Sequence, residues 1–449
     1  MGLFNQFPFT NFHELNLDWL INTVKTEETK TAENTESIVA MKIDIANNTK
    51  NININTQNIN SNTNRIETLE QSANNIPPNA INVRNFGAVG DAQYFKMPEN
   101  KYYKNINWEP CHDDTAAIDE AIAYALEHNI DTLYFPDGAY LYKKAITLDI
   151  SKMRFVGENN SAIVSEGLTG GSFITLISPI QLRQYDFSKC PLENINIWGS
   201  YYNGTTQNDV TGISYSNNLV PCHLILKNVS VVHFNKGLSG AEFYKSGLIN
   251  VSVIACKIGL NLQSSSAVPL YFTNCFFECC ETAIYCTIGG YNQLNFVNCA
   301  FEYNRRAIYG NGFMNFIACR FEYDNQSAID PENYSDMLMF NWGQDSTTTS
   351  MLNFESCQFL DLHNYAGNVR DWIYNPVIKA DRNANIFYIN GTHGIHFNMC
   401  AFAIESFPTA NFYITGTGVA FTNCKVTGLK DVFVNPSAKV DSTDITFPT

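Results

Sequence analysis

A six-residue phrase returns nine times between residues 192 and 426, and no other feature restricts the fold of this chain as tightly. Its instances read LENINI (192–197), LKNVSV (226–231), LINVSV (248–253), FTNCFF (272–277), FVNCAF (296–301), FIACRF (316–321), FESCQF (354–359), FNMCAF (397–402) and FTNCKV (421–426). Apolar residues at positions one, four and six describe a strand that turns at its third residue and then resumes two-residue alternation. Asn holds most of those third positions and tolerates the left-handed dihedrals that a corner requires. A repeat of this kind marks stacked units, each of which buries its apolar side only against its neighbours. Three of the intervals are about two dozen residues, close to one turn of a right-handed parallel β-helix. The longer intervals around 320–396 imply either an extra coil or loops that protrude. The fold class expected is all-β.

Stacking the phrases puts Asn194, Asn228, Asn250, Asn274 and Asn298 in one column, where side-chain amides can bond to each other; Ala318, Ser356 and Met399 interrupt it before Asn423. The next position explains most of the thirteen cysteines. Ile195, Val229, Val251, Cys275, Cys299, Cys319, Cys357, Cys400 and Cys424 share one inward slot, so cysteine serves as a small buried hydrophobe and not as a bridge. Such usage fits synthesis in a reducing cytoplasm. No CxxC pairs or Cys/His quartets occur, and no metal site is expected.

A second periodicity lies upstream. Ile38, Ile45, Ile52, Ile59 and Ile66 recur every seven residues, a seam that demands a left-handed coiled coil. Asn48, Asn55 and Asn62 each follow an Ile by three residues and precede a Thr. With Ile at a and Asn at d, these heptads resemble the stalks of trimeric autotransporters, in which three Asn side chains hold an anion on the axis. The resemblance implies a homotrimer with chloride-like anions beside Asn48, Asn55 and Asn62, and no other cofactor. Pro77-Pro78 ends the helix. Before the stalk, NFHELNLDWLINTVK places Leu17, Leu20, Ile21 and Val24 on one helical face, as a docking peptide or a stalk cap.

Residues 82–148 resemble the opening segment of pectate-lyase-like β-helices: NVRNFGAVGD, then HDDTAAIDEAIAYALEHN, then TLYFPDGAYLYKKAITL. Gly87, Gly90, Asp113, Asp114, Pro136 and Gly138 carry the likeness, which implies a helix closing the first coil and hiding its edge. Asp113 or Asp114 is expected to cap that helix. An insert at Ala92–Cys111, rich in Tyr, Phe and Trp, departs from the pattern and reads as an elaborated loop near the stalk junction.

A net charge of −15 argues against a nucleic-acid partner. No segment reaches the roughly 20 apolar residues of a membrane span, and the N-terminus lacks the basic region of a secretory signal. Chemistry has to come from the outer surface of the scaffold. Glu278, Glu302 and Glu322 each follow the last inward phenylalanine of a phrase, so they should point outward in one column, with rungs about 4.8 Å apart. Three like charges so close call for nearby cations or a proton held within the stack. Adjacent rungs approach the spacing for retaining glycoside hydrolysis, and alternate rungs that for inversion; a hydrated acidic stripe or cation site is the bland alternative. Tyr303, Tyr323, Arg305, Arg306, Asp324 and Trp372 are the candidate substrate-binding residues. A second cluster is Glu355, Asp361, His363, Arg370, Asp371 and Trp372. A pectate-lyase elimination is not expected, because no basic residue sits among calcium-binding aspartates.

The order of parts, with the opening FPFTNFHELNLDWLI, resembles the tail spikes of short-tailed phages of Gram-positive bacteria. That resemblance implies a virion-docking segment at 1–25 and a trimeric stalk at 26–76. It further implies an opening and capping segment at 77–150 and a receptor-binding β-helix at 151–449. The implied protein is made in the host bacterial cytoplasm, resides in the virion tail and contacts other tail or collar proteins through its N-terminus. It binds or cuts host teichoic acid or capsule, as a depolymerase or as a non-catalytic adhesin.

Overall fold

The computed structural model describes residues 17–75, 79–96, 99, 101–158, 160–177, 189–200, 209–215, 224–240, 246–262, 270–287, 293–304, 306–322, 340–342, 351–360, 385–389, 395–403, 411–414, 419–427, 440–441 and 445–446. Two compact units divide the chain, Met1–Asn75 and Ile76–Thr449.

The first unit contains one continuous helix, Leu17–Asn75, so the amphipathic N-terminal segment and the heptads form a single element. Its end at Asn75 sits just before Pro77, as proline chemistry requires. Ile38, Ile45, Ile52 and Ile59 are 49–65% exposed, as are Leu20, Ile21 and Val24 at 42–50%. Asn48 and Asn55 lie exposed on the helix, and Asn62 falls within it. Thr49, Thr56 and Thr63 each donate their hydroxyl to the carbonyl of the Ile four residues earlier, at 2.8–3.0 Å. No described helix is long and apolar enough to cross a membrane.

The second unit is a parallel β-helix. A representative coil has strands Leu270–Thr273, Phe276–Glu278 and Thr282–Thr287, here termed the first, second and third faces. The next coils supply Gln293–Val297, Ala300–Glu302 and Ile308–Asn311, then Phe313–Ile317, Arg320–Glu322 and Phe340–Trp342. Each strand pairs in parallel with its equivalents above and below. Phe316 lies in register with Phe354 and Phe354 with Phe397, so no extra coil intervenes where the phrase interval lengthens.

The corner between the first two faces is left-handed throughout: Asn194, Asn228, Asn250, Asn274, Asn298, Ala318, Ser356, Met399 and Asn423 all have φ of +51° to +55°. Asn228 donates its amide to Asn194 at 2.7 Å, Asn250 to Asn228 at 2.9 Å and Asn298 to Asn274 at 2.8 Å. Ala318, Ser356 and Met399 close the same corner without that amide ladder, Ala318 and Met399 at the cost of an unfavourable φ. Inside, Phe272, Phe296, Phe316, Phe354, Phe397 and Phe421 stack at 4.3–4.9 Å. A second stack of Phe277, Phe301, Phe321, Phe359 and Phe402, at 4.7–5.2 Å, meets the first edge-on. The cysteine slot lies between them. Each thiol there donates to a carbonyl of the preceding coil, as Cys299 does to Phe272 at 3.4 Å, and the twelve described cysteines form no disulfide.

The helix Thr115–Glu127 closes the first coil, burying Ala117, Ile118, Ala121 and Ala125 in the same core as Val83 and Leu133. Its two aspartates divide their work, and the expected capping bond to the first helical amide comes from Asp113. Asp113 accepts the Thr115 amide at 3.1 Å and its hydroxyl at 2.5 Å. Asp114 occupies the cap position without capping; fully buried, it accepts the amides of Val89 (2.6 Å) and Gly90 (3.1 Å). It thereby pins the turn where Gly90 has φ +74° and a Cβ would strike Tyr140.

The insert is also not the loop expected. Tyr94–Lys96 and Lys101–Tyr103 form a hairpin, the one antiparallel pair among the described strands. Alternation aims Phe95 and Tyr102 at the outer side of the β-helix. Tyr102 packs with Ala139, Leu141, Ala162 and Val164 in a separate small core, and Trp198 lies against it.

Candidate functional site

One outward ladder on the second face runs Leu141, Val164, Trp198, Val232, Ile254, Glu278, Glu302, Glu322, Leu360 and Ala403, each in register with the next. Its first three rungs, Leu141, Val164 and Trp198, lie in the small core beneath the hairpin. Ordinary surface polarity would account for acidic rungs scattered along the column. Here three come together, between Ile254 and Leu360.

The rungs differ in exposure. Glu278 is 5% exposed, Glu302 half-buried, and the Glu322 side chain 15% exposed. At about 4.8 Å two unit charges repel by about 1 kcal/mol in water and about 3–4 kcal/mol at an effective dielectric of 20. Arg320 compensates one end of the stack: two residues earlier on the same strand, and so on the same outer face, it forms an ion pair with Glu322. Sequence reading missed this residue although two-residue alternation places it beside Glu322. The neighbouring outward column holds Phe276 and Ala300 in register with Arg320, so an apolar strip flanks the carboxylates.

The remaining candidates separate. Tyr303 sits in the corner between the second and third faces with φ +56°, donates its amide to the Glu322 carbonyl at 3.0 Å and packs against Ala255 and Cys279. It closes that corner. His233, Ala255 and Cys279 share the same left-handed column. Arg306 reaches the third face, its guanidinium 5.0 Å from the Tyr309 ring centre. Tyr309 stacks on Tyr285 at 5.1 Å. Asn304, fully buried, accepts the Cys280 amide and donates to the Phe277 carbonyl, both at 2.9 Å. Those bonds hold the turn beneath the acidic rungs. Glu355 lies on the first face, in register with Ile317 and Asn398, and does not join the ladder. Arg305, Tyr323, Asp324, Trp372, Asp361, His363, Arg370 and Asp371 lie outside the described residues. Among the described residues no cluster of His, Cys, Asp and Glu has metal-holding geometry.

A carboxylate ladder with one cation and a flanking apolar strip has the elements of glycan chemistry: paired acid and base groups, and a surface for the apolar face of a sugar.

No protein-family model and no curated protein sequence matches the chain. Solved structures do resemble it. A DFA-IIIase from Arthrobacter chlorophenolicus A6, in complex with GF2, aligns over 82% of this chain and 94% of its own, with 13% identity and a TM-score of 0.51. A Geobacillus virus E2 protein, ORF18, aligns over 84% of this chain at 18% identity and a TM-score of 0.41. The aligned part is 62% of that viral protein, so this chain spans about three fifths of its length. The Dettilon tailspike protein aligns over 78% of this chain and 62% of its own, at 10% identity and a TM-score of 0.42. The DFA-IIIase alignment shows a shared fold.

Proposed function

We propose that the chain is a trimeric phage tail-spike appendage that recognises a host cell-surface glycan, such as teichoic acid or capsule, and cleaves it as a hydrolase. The observation that carries this reading is the in-register stack of Glu278, Glu302 and Glu322 on the outer second face. Rungs about 4.8 Å apart lie near the separation for retaining cleavage. Glu302 and Glu322 are the more accessible pair and serve as acid/base and nucleophile. Arg320 fixes the Glu322 carboxylate, and Glu278 supports the stack from below the surface. The DFA-IIIase solved with GF2 demonstrates that a scaffold of this kind can carry an enzyme.

The virion role rests on the N-terminal unit. Four exposed isoleucines at heptad spacing each gain about 1.5–3 kcal/mol when buried, and the three I-x-x-N-T heptads favour three strands around axial anions. The thiol column agrees with assembly in a reducing host cytoplasm. The Arg320–Glu322 ion pair also favours a second reading, a non-catalytic adhesin, because paired charges on an outer face can bind a polar glycan without any chemistry.

Incubating the purified protein with host cell-wall polymer separates the two. Fragments released by wild type and lost in Glu302→Gln support hydrolysis at the ladder; binding without fragments supports the adhesin. Full cleavage by Glu302→Gln removes the ladder from the mechanism.

A further inference from the structure

We infer that the paired strands Tyr94–Lys96 and Lys101–Tyr103, with the turn at 104–109 that follows them, form a second glycan-binding site, one that grips the acidic groups of a surface polysaccharide. This inference shares the ligand class of the preceding proposal but is independent of the acidic ladder.

The underside of the hairpin is anchored. Phe95 lies 5.2 Å from the His233 ring, Tyr102 donates its hydroxyl to the Gly199 carbonyl at 2.5 Å, and its amide reaches Glu166 at 2.9 Å. The outer side is where the unexplained residues gather. Register pairs Tyr94 with Tyr103 and Lys96 with Lys101, which places all four opposite Phe95 and Tyr102. Trp108 meets the Tyr103 ring edge-on at 5.6 Å, and the Lys96 ammonium is 5.1 Å from the indole centre. Trp108 nevertheless keeps 40% of its surface in solvent, and Tyr94 keeps 42%.

The loop spends conformational energy on this display. Trp108 has φ +61°, a left-handed conformation costly for a bulky residue. Asn105 holds it there: its carbonyl accepts the Trp108 amide at 3.0 Å, and its side chain accepts Asn107 (3.0 Å) and Glu109 (3.3 Å). A strained, prebuilt turn that presents an indole to water is expected where a ligand compensates the strain.

Charge indicates the occupant. The chain carries 43 acidic against 28 basic residues, yet the insert holds Lys96, Lys101 and Lys104 against Glu99 and Glu109. Lys96 and Glu99 pair with each other, which leaves Lys101 and Lys104 against Glu109. An aromatic surface accepts the apolar face of a sugar ring, and exposed lysines attract phosphate or carboxylate groups on it. Phosphate-bearing and uronic-acid polymers supply the same chemistry.

Three probes distinguish the sources: a glycerol-phosphate teichoic acid, a polygalacturonate and a neutral glucan, each titrated against the full-length chain by calorimetry at two salt concentrations. The expected result is tighter binding to one or both acidic polymers than to the glucan. Trp108→Ala should weaken it about tenfold or more, and Lys101→Ala/Lys104→Ala should weaken it and flatten its salt dependence. Glu302→Gln should retain it, which separates failure here from failure of the ladder. Circular dichroism and size-exclusion profiles of the variants should match wild type. Equal or absent binding of the acidic polymers, unchanged affinity in both hairpin variants, or a Trp108→Ala chain of altered oligomeric state would each overturn the inference. The last outcome would assign the surface to a second copy of the chain.

Discussion

Replacing Cys299 tests whether its slot selects volume or a hydrogen-bonding thiol. The residue is 1% exposed, between the Phe272–Phe296 and Phe277–Phe301 stacks. Its sulfur donates to the Phe272 carbonyl and accepts the Cys275 amide, both at 3.4 Å. Cys299→Ala removes roughly one methylene equivalent of buried surface, about 0.8 kcal/mol, and leaves a small void worth about 0.5 kcal/mol. Loss of two weak sulfur contacts brings the total to about 2 kcal/mol. Cys299→Val keeps the volume, and Val251 and Val229 already occupy this slot two and three coils earlier; its cost should stay near 1 kcal/mol. Cys299→Ser keeps a donor but loses bulk and buries a hydroxyl, for about 2 kcal/mol. The assay is the unfolding rate in urea at fixed concentration, followed by near-ultraviolet circular dichroism, because a stacked solenoid is best compared kinetically. The expected order of resistance is Cys, Val, then Ala and Ser together. A serine variant that outlasts valine would refute the volume argument and make the thiol a bonding group.

Four further outcomes follow from the same structure. Asp114→Ala strands the Val89 and Gly90 amides, and should cost about 2–4 kcal/mol, seen as earlier denaturant unfolding and new protease cleavage near residue 89. Burial pushes the His233 imidazole down to about 4; the unfolded chain then binds more protons between pH 6.5 and 4, so stability falls as pH drops through that window. The loss should reach up to about 3 kcal/mol, and His233→Asn, which tolerates the left-handed φ, should flatten that part of a stability–pH curve. Light scattering should count three chains of 50.5 kDa in the full protein and fewer chains per particle once residues 1–75 are removed; a truncated protein that still counts three chains would place the assembly contacts elsewhere. Arg320→Ala should leave fragment size unchanged but lower the rate of glycan cleavage about tenfold or more by releasing Glu322.

The sequence disclosed the parts of the fold that repeat one chemical solution. The first corner is mostly Asn, the slot after it mostly Cys, and the inward positions mostly Phe, so one phrase reveals the columns. The second corner has the same left-handed geometry but is filled by His233, Ala255, Cys279 and Tyr303. Those residues share no chemistry, and the corner was invisible. Glu278, Glu302 and Glu322 were legible as one column because each follows an inward phenylalanine. Their unequal burial was not, since it depends on contacts with neighbouring coils that the phrase does not record. The hairpin escaped for a related reason: Phe95 and Tyr102 bury against Trp198 and His233, more than ninety residues away, and local pattern carries no record of such contacts. The Asp114 carboxylate likewise serves a turn two dozen residues upstream, where cap statistics point to its own helix.

Where sugar binds is the decisive property of this surface. A crystal structure of Glu302→Gln with an oligosaccharide from the host wall polymer measures this directly. The expected result is a glycosidic oxygen beside rungs 302 and 322 of the second face, with a sugar ring lying over Phe276 and Ala300. Sugar found only at the first face, the third face or the hairpin would contradict it.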